Sequence, residues 1–245
     1  MPYRKDDDLE FLGSMNSVDL ADLVRCLMYN KDGNLRLTQS LNVSAEYRRY
    51  GDDYAKYWKR IAQELQTFGA DSLVSFLRGG MGVRYEEILK DICDSIGVGY
   101  SQNESVQTIE RRLVAFVLSN AILNADKTQV KELNIEFKSQ NIAIPYEKLD
   151  ANGSNEILNR GGIISYCLTL AVVNAVWIAI FRHSLSIVDN THPVQALDGI
   201  IVPINWMLTS PQKAINITGP AYRVTVPAVF QIALLRSKFS IDAVA

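Results

Sequence analysis

The sequence holds few residues whose types and spacing could support catalysis. Its two histidines, His183 and His192, lie nine residues apart, and no cysteine stands at metal-ligand spacing from either of them. Because a zinc site needs three or four clustered ligands, this spacing argues against one. The GxSxG and HExxH patterns and the Walker phosphate loop do not occur. We therefore predict a protein that is not an enzyme and holds no cofactor or metal.

Three other patterns have a chemical and a structural interpretation, and we favour the structural one each time. The GGMG sequence at residues 79–82 lacks the Lys-Ser/Thr of a phosphate loop and is typical of a turn. The acids at residues 6–8 could bind a cation, but acids also favour the positive end of a helix dipole. Tyr54, Tyr57 and Trp58 could stack on bases, whereas aromatic residues at helical spacing usually form core. We expect no nucleic-acid partner.

Composition places the chain among globular proteins of reducing compartments. Its 245 residues are 48% hydrophobic and 21% charged, and 25 basic residues stand against 27 acidic ones. This near balance does not indicate a general attraction to nucleic acid. Cys26, Cys93 and Cys167 form no paired motif, and the acidic N-terminus lacks the apolar region of a signal peptide. We predict a cytoplasmic protein, and a position at or in the inner membrane stays open as an alternative.

Apolar residues at helical spacing predict amphipathic helices in the first half of the chain. The strongest stripe begins at Asp52 and includes Leu65 and Phe68, and we expect Gly69 to end that helix. Other helices are predicted over residues 6–12, 17–28, 35–43, 84–96, 105–117 and 127–140. Residues 221–239 are predicted as a helix distorted at Pro227 rather than a strand. The fold class is therefore all-α, a multi-helix bundle with a central apolar helix.

The pattern changes near residue 150. Residues 141–154 break the helical periodicity, and Asn152-Gly153 is typical of a turn. We predict an amphipathic helical region over residues 1–150, comprising a short N-terminal module over 1–45 and further helices over 46–150. An apolar helical region follows over 151–245, and we expect both regions to pack into one globule.

Three stretches resemble an uncharacterised bacterial family. YRKDDDLEFLGSMNSVDLADLVRCL, at 3–27, resembles a short domain of unknown function, and the stretches at 57–98 and 221–236 are similar to the YaaW-like proteins. We assign structural roles to motif residues in the second and third stretches: Trp58, Leu65, Phe68, Gly69, Tyr222, Arg223 and Pro227. That family is grouped distantly with ubiquinol–cytochrome c chaperones. The resemblance thus implies a helical, non-enzymatic, chaperone-like protein that acts on a membrane-linked client.

Residues 161–181 contain no charged side chain and have three interpretations. They could form a buried core helix, a membrane span, or a membrane-inserting arm that is sheltered in the soluble form. In the last case the second arm is 200–208, and the hairpin over 161–208 would make the protein a pore-forming effector. The candidate membrane or client contacts are Ile163, Leu168, Val173, Trp177, Phe181 and Trp206. A buried Asn174 would need a hydrogen-bond partner. A client-binding role is the main hypothesis, and the oligomeric state stays open.

Overall fold

The computed structural model describes residues 2–72, 82–123, 151–186 and 222–242. Within these ranges the regular elements are helices, and one isolated β-bridge joins Tyr29 to Leu35. The protein has an all-α fold, which confirms the predicted class.

The described α-helices vary from one and a half turns to almost six. They are α1 (Ser17–Met28), α2 (Ala45–Tyr50), α3 (Trp58–Ser72), α4 (Tyr85–Ile96), α5 (Val106–Leu123), α6 (Ala151–Arg160), α7 (Gly162–Phe181) and α8 (Tyr222–Asp242). Short 3₁₀ helices lie at Glu10–Ser14 and Tyr54–Tyr57.

The residues group into two compact units. The first contains α1 to α4 and the part of α8 up to Leu235, and the second contains α5, α6, α7 and α8 from Arg236 onward. The division at residue 150 that the sequence suggested stays a prediction.

Helix α3 is central to the first unit. Ile61, Leu65 and Phe68 are buried along one stripe, as the periodicity predicts. Gly69, however, does not end the helix, which continues to Ser72. A β-carbon at Gly69 would lie 2.5 Å from Cδ1 of Ile88 on α4. The glycine is therefore needed for close packing of α3 on α4 and not for a helix cap.

The N-terminal segment is tied to both of these helices. The backbone N–H of Arg4 donates to Oε1 of Gln66 at 3.0 Å, and Nε2 of Gln66 donates to the Arg4 carbonyl at 2.8 Å. Oδ2 of the buried Asp6 accepts from the backbone N–H of Tyr85 at 2.6 Å, at the first residue of α4. Asp6 therefore caps a helix 79 residues away, which supports the structural interpretation of the acidic cluster.

The predicted helix over residues 35–43 is wrong. Oδ1 of Asn30 accepts from the N–H groups of Asp32 and Asn34, both at 3.0 Å, and this closes a tight turn after α1. The chain then runs through turns until α2 begins. Leu35 is 45% exposed and Leu37 fully exposed, so the segment offers no apolar stripe that helix formation would bury.

Two further local predictions need correction. The predicted helix over residues 6–12 is replaced by the 3₁₀ helix at Glu10–Ser14. Asn152-Gly153 lies inside α6 and forms no turn there.

Helix termini agree better with the sequence. Asn16 accepts from Asp19 N–H at the start of α1, and Ser105 accepts from Thr108 N–H before α5. Gly97 ends α4 in the left-handed conformation, at φ 78°. The predictions for residues 73–81, 127–140 and 200–208 lie outside the described residues.

Candidate functional site

Helix α7 is the apolar segment singled out by the sequence, and most of it is buried. Leu168, Val173, Trp177 and Phe181 are at most 4% exposed. Ile163 is the exception, at 53%. Trp206 lies outside the described residues. As client or membrane contacts, all these residues stay predictions.

Three polar side chains of α7 are bonded to nearby backbone, whereas the buried Trp177 Nε1 has no partner among the described protein atoms. Ser165 Oγ donates to the Leu158 carbonyl at 3.0 Å, and Thr169 Oγ1 donates to the Ser165 carbonyl at 2.8 Å. The Asn174 amide is 1% exposed, and its Oδ1 accepts from the N–H of Leu185 at 2.9 Å. The partner that a buried Asn174 would need is therefore present, only 11 residues along the chain.

Both ends of α7 have left-handed backbone. Gly161 and Gly162 have φ of 69° and 71° and form the corner between α6 and α7. Arg182 ends the helix at φ 66°, a conformation that costs a residue with a β-carbon about 1 kcal/mol. Just before Arg182, the Trp177 ring packs on Phe181, with ring centroids 4.5 Å apart.

Two described helices are long and apolar enough to cross a membrane. These are α7, with a mean hydropathy of 2.2, and residues 222–241 of α8, with a mean hydropathy of 1.3. In each, 72% of the most apolar window is buried inside the protein. Core helices of soluble proteins have the same length and composition, so both environments fit these segments.

An open cleft of about 620 Å³ lies between α5 and α6 in the second unit. The start of α5 contributes Thr108 and Arg112 to its walls, and the end of α6 contributes Asn155, Asn159 and an ion pair. The ion pair joins Arg160 Nη2 to Glu156 Oε1 at 2.6 Å. Asn155 and Asn159 are four residues apart and therefore share one face of α6.

The cleft has hydrogen-bonding capacity that the protein does not use. Arg112 Nη2 is bound to Glu104 Oε1 at 2.5 Å, whereas its Nε has no partner among the protein atoms. Asn155 Oδ1 also has none. A buried polar atom without a partner costs about 1–3 kcal/mol, so such groups often mark a binding site. The sequence analysis missed this cleft, although the i,i+4 spacing of the two asparagines was a weak signal.

A buried ion pair lies elsewhere in the second unit. Arg236 Nε donates to Glu110 Oε2 at 2.8 Å, and the two side chains are 10% and 4% exposed. Each charge compensates the other, so the loss of either would remove the opposite charge from beside a buried ionised group.

Three family-motif residues lie at the start of α8 in the first unit, and one of them contacts the N-terminal module. Pro227 lies inside α8 and has no N–H, so the Arg223 carbonyl loses its α-helical donor. Arg36 Nη2 donates to that carbonyl at 3.4 Å, and Arg36 Nε donates to the Cys26 carbonyl in the last turn of α1 at 3.2 Å. A hydrogen bond also joins Tyr222 to the side chain of Asp91 on α4. The role assigned to the motif residues in α8 stays a prediction.

The motif aromatic residue in α3 has a structural contact as well. The Trp58 ring lies edge-on to Tyr3, with centroids 6.1 Å apart. It also covers Gly13, where an added β-carbon would lie 2.8 Å from Trp58 Nε1. Trp58 thus packs against the N-terminal segment, although its side chain is only partly buried.

The three cysteines are buried, and burial raises the pKa of each thiol. For Cys93 and Cys167 the pKa is about 12. The reactive thiolate is therefore scarce at neutral pH. Among the described residues no group of three or more His, Cys, Asp or Glu side chains is placed to hold a metal ion.

Comparison with known proteins gives a family. The chain is 40% identical over 238 residues to a "UPF0174 protein" of Helicobacter pylori strain J99, covering 97% of this chain and 94% of the relative. The chain belongs to the UPF0174 family. The Escherichia coli K12 member, "UPF0174 protein YaaW", is 29% identical over 241 residues, which cover 97% of both chains. This confirms the resemblance to YaaW-like proteins; the chaperone grouping has no support from these names.

A second UPF0174 protein, from H. pylori strain ATCC 700392 / 26695, is 37% identical over 206 residues, covering 82% of this chain and 98% of the relative. Residues 3–37 match the family model described as "Domain of unknown function (DUF3944)". No solved structure matches the chain. The DUF3944 match ends one residue after Arg36, so it includes the side chain that contacts α8.

Proposed function

We propose that this UPF0174 protein is a non-enzymatic, chaperone-like protein that binds a polypeptide partner in the cleft between α5 and α6. The carrying observation is the unused hydrogen-bonding capacity of Arg112 and Asn155 in an open polar cleft. A peptide backbone supplies both donors and acceptors, which is the complement that a guanidinium and carboxamides require. The volume of about 620 Å³ is enough for a few residues of an extended chain.

The surroundings of the cleft support a binding role over a catalytic one. Its two arginines are each paired with a glutamate, so no free charge stands ready for acid–base chemistry. No cysteine is among the described residues that line the cleft, and elsewhere the buried thiols of Cys93 and Cys167 are held protonated and are weak nucleophiles.

Site-specific photo-crosslinking in cells tests this proposal. A photoreactive amino acid at Asn159, on the cleft wall, should give a defined adduct with another polypeptide. Asp7, an exposed residue of the first unit, is the matched control position. Arg112→Ala should remove the adduct at Asn159 while circular dichroism stays unchanged. Identical adduct patterns at Asn159 and Asp7, or an adduct that survives Arg112→Ala, would contradict the proposal.

A membrane-inserting effector is the second candidate function, and one observation favours it. The side chains of Ser165, Thr169 and Asn174 find their partners within residues 158–185. Because those contacts are local, α7 and its flanking turns could move from the protein interior into a bilayer while these three side chains keep their hydrogen bonds. At about 1.5 Å per residue, its 20 residues span about 30 Å, the thickness of the hydrocarbon core.

Alkaline-carbonate extraction of native membranes tests insertion. A carbonate-resistant pool that Val173→Asp abolishes would support it, since a carboxylate on α7 opposes entry into lipid. Val114→Asp on α5 is the matched control, because both valines are 1% exposed and both changes disturb the core. Equal loss from both variants would indicate unfolding and count against insertion.

A further inference from the structure

The first unit exposes an unusual number of large apolar side chains in one short segment. Within residues 35–50, Leu35 is 45% exposed, Leu37 fully exposed, Val43 58% and Tyr50 36%. Elsewhere in the described chain, only Val18, Ile163 and Ile164 are large apolar residues of this exposure. Exposed apolar side chains grouped in this way often mark an interaction site.

The segment is held in place by its middle. Leu41 is fully buried, and Ser40 donates both its N–H and its hydroxyl to the buried Glu64, at 2.7 Å and 2.9 Å. Leu37 and Val43 flank this anchor on either side. Their exposure therefore accompanies an anchored backbone, and the protein presents these side chains to the outside.

Positive charge accompanies the apolar side chains. Residues 35–50 contain three basic residues and one acidic residue, a balance of +2 in a chain whose net charge is −2. Lys31, Arg48 and Arg49 are exposed, and α2 contains no buried residue. Apolar side chains together with bases are the complement of a negatively charged lipid surface, which offers hydrocarbon and anionic headgroups at once.

Tyr50 adds an aromatic residue in a fixed position. Its ring stacks on Tyr57, with centroids 6.4 Å apart, and the Arg49 guanidinium lies 5.2 Å from the centre of the Tyr50 ring. Tyr57 is buried and donates to the Gly51 carbonyl at 2.6 Å, which fixes this stack. Tyrosine beside arginine is typical of protein surfaces at the headgroup level of a bilayer.

We propose that residues 35–50 form a peripheral membrane-binding surface for anionic lipid. Leu37 and Val43 enter the boundary of the acyl chains, Tyr50 lies at the headgroups, and Arg48 and Arg49 pair with lipid phosphates. This surface belongs to the first unit and is independent of the cleft between α5 and α6. It binds the membrane without any helix crossing it.

Vesicle co-sedimentation of the full chain tests the proposal. We expect binding to vesicles of phosphatidylcholine with phosphatidylglycerol, weak binding to phosphatidylcholine alone, and release by high salt. The double variant Leu37→Ser/Val43→Ser should lose about tenfold in affinity, from the apolar area removed. Arg48→Gln/Arg49→Gln should lose about thirtyfold and most of the salt dependence.

Matched controls separate this surface from other routes to the membrane. Val18→Ser removes an apolar side chain of similar exposure on α1, and Lys5→Gln removes an exposed base. Both should bind like the wild type, and all variants should keep the wild-type unfolding midpoint.

Three results would overturn the proposal: no binding of the wild type to anionic vesicles, full binding by both double variants, or an equal loss in Val18→Ser. In a different outcome, the wild type binds no vesicle but cross-links to another polypeptide through this surface. If both double variants lost that cross-link, the surface would be a protein-docking site and the proposal would be wrong.

Discussion

The contact between Arg36 and α8 predicts how the effects on stability of substitutions at Arg36 and Pro227 depend on each other. Proline at 227 removes the N–H that would bond the Arg223 carbonyl, and Arg36 supplies a donor instead at 3.4 Å. Pro227→Ala restores the missing N–H. The need for Arg36 at that carbonyl should therefore fall when Pro227 is replaced.

The magnitudes follow from the two hydrogen bonds. Arg36→Met keeps the apolar stem but removes the donors to Cys26 and Arg223, which are long bonds of 3.2 Å and 3.4 Å. At about 1 kcal/mol each, the single change should cost about 2 kcal/mol of unfolding free energy. In the Pro227→Ala background only the Cys26 bond is lost without replacement. The same change should then cost about 1 kcal/mol.

Pro227→Ala alone should raise stability by about 2 kcal/mol. Interior proline costs a helix about 3 kcal/mol, and the greater entropy of the unfolded alanine chain offsets up to about 1 kcal/mol of the gain. The coupling between the two sites is thus about 1 kcal/mol.

Urea unfolding of the wild type, both single variants and the double variant measures this coupling by far-ultraviolet circular dichroism. Arg25→Met is the matched control, because Arg25 lies on α1 and is exposed. Combined with Pro227→Ala, it should be additive. Additivity of Arg36→Met with Pro227→Ala to within about 0.3 kcal/mol would refute the reasoning. A larger cost of Arg36→Met in the alanine background would do so as well.

Four further predictions concern single groups, and each is checked by the shift in unfolding free energy. Asp6→Ala should cost about 1–2 kcal/mol, and Asp6→Asn should cost much less because an asparagine at position 6 can also cap helix α4. Equal losses in the two variants would show that Asp6 does not act as a helix cap. Gln231→Met should stabilise the protein by about 1 kcal/mol, since both side-chain polar atoms of the fully buried Gln231 lack hydrogen-bond partners. A loss of stability instead would show that Gln231 has such a partner. Arg182→Gly should stabilise by up to about 1 kcal/mol, and Arg182→Ala should not, because only glycine relieves the positive φ. Glu110→Gln should cost about 3 kcal/mol or more, whereas Glu110→Met with Arg236→Met should cost less, since no unpaired charge is left; the opposite order would contradict this.

The sequence predicts a helix well where the residues of that helix determine its apolar face. The apolar stripe of α3 depends on neighbours within a turn or two, and the burial of Ile61, Leu65 and Phe68 confirms it. Gly69 shows the limit of that reasoning. Its role in packing depends on Ile88, and local pattern does not distinguish a glycine that ends a helix from one that admits a neighbouring helix.

The candidate sites were predictable only in part, for the same reason. Trp58 and the residues of α8 were found from family motifs, but the cap that Asp6 gives to α4 joins groups 79 residues apart. The cleft depends on bringing α5 beside α6, so Arg112 and Asn155 carry no signal that links them in the sequence. Leu37 was assigned to a helix because apolar residues usually find a buried face, and here the Ser40–Glu64 anchor prevents that.

The two span candidates differ in how far their polar contacts reach, and this separates their roles. In the second unit, Ser165, Thr169 and Asn174 of α7 are bonded to groups no more than 11 residues away along the chain. In the same unit, Arg236 of α8 is bound to Glu110, 126 residues away, and in the first unit the Arg223 carbonyl is bound to Arg36, 187 residues away. Displacing α8 would therefore remove Arg236 from the buried Glu110 carboxylate, and breaking a buried ion pair costs about 3–5 kcal/mol, whereas α7 contains no charged residue. If one of these helices ever enters a membrane, it is α7, and α8 stays with the folded protein.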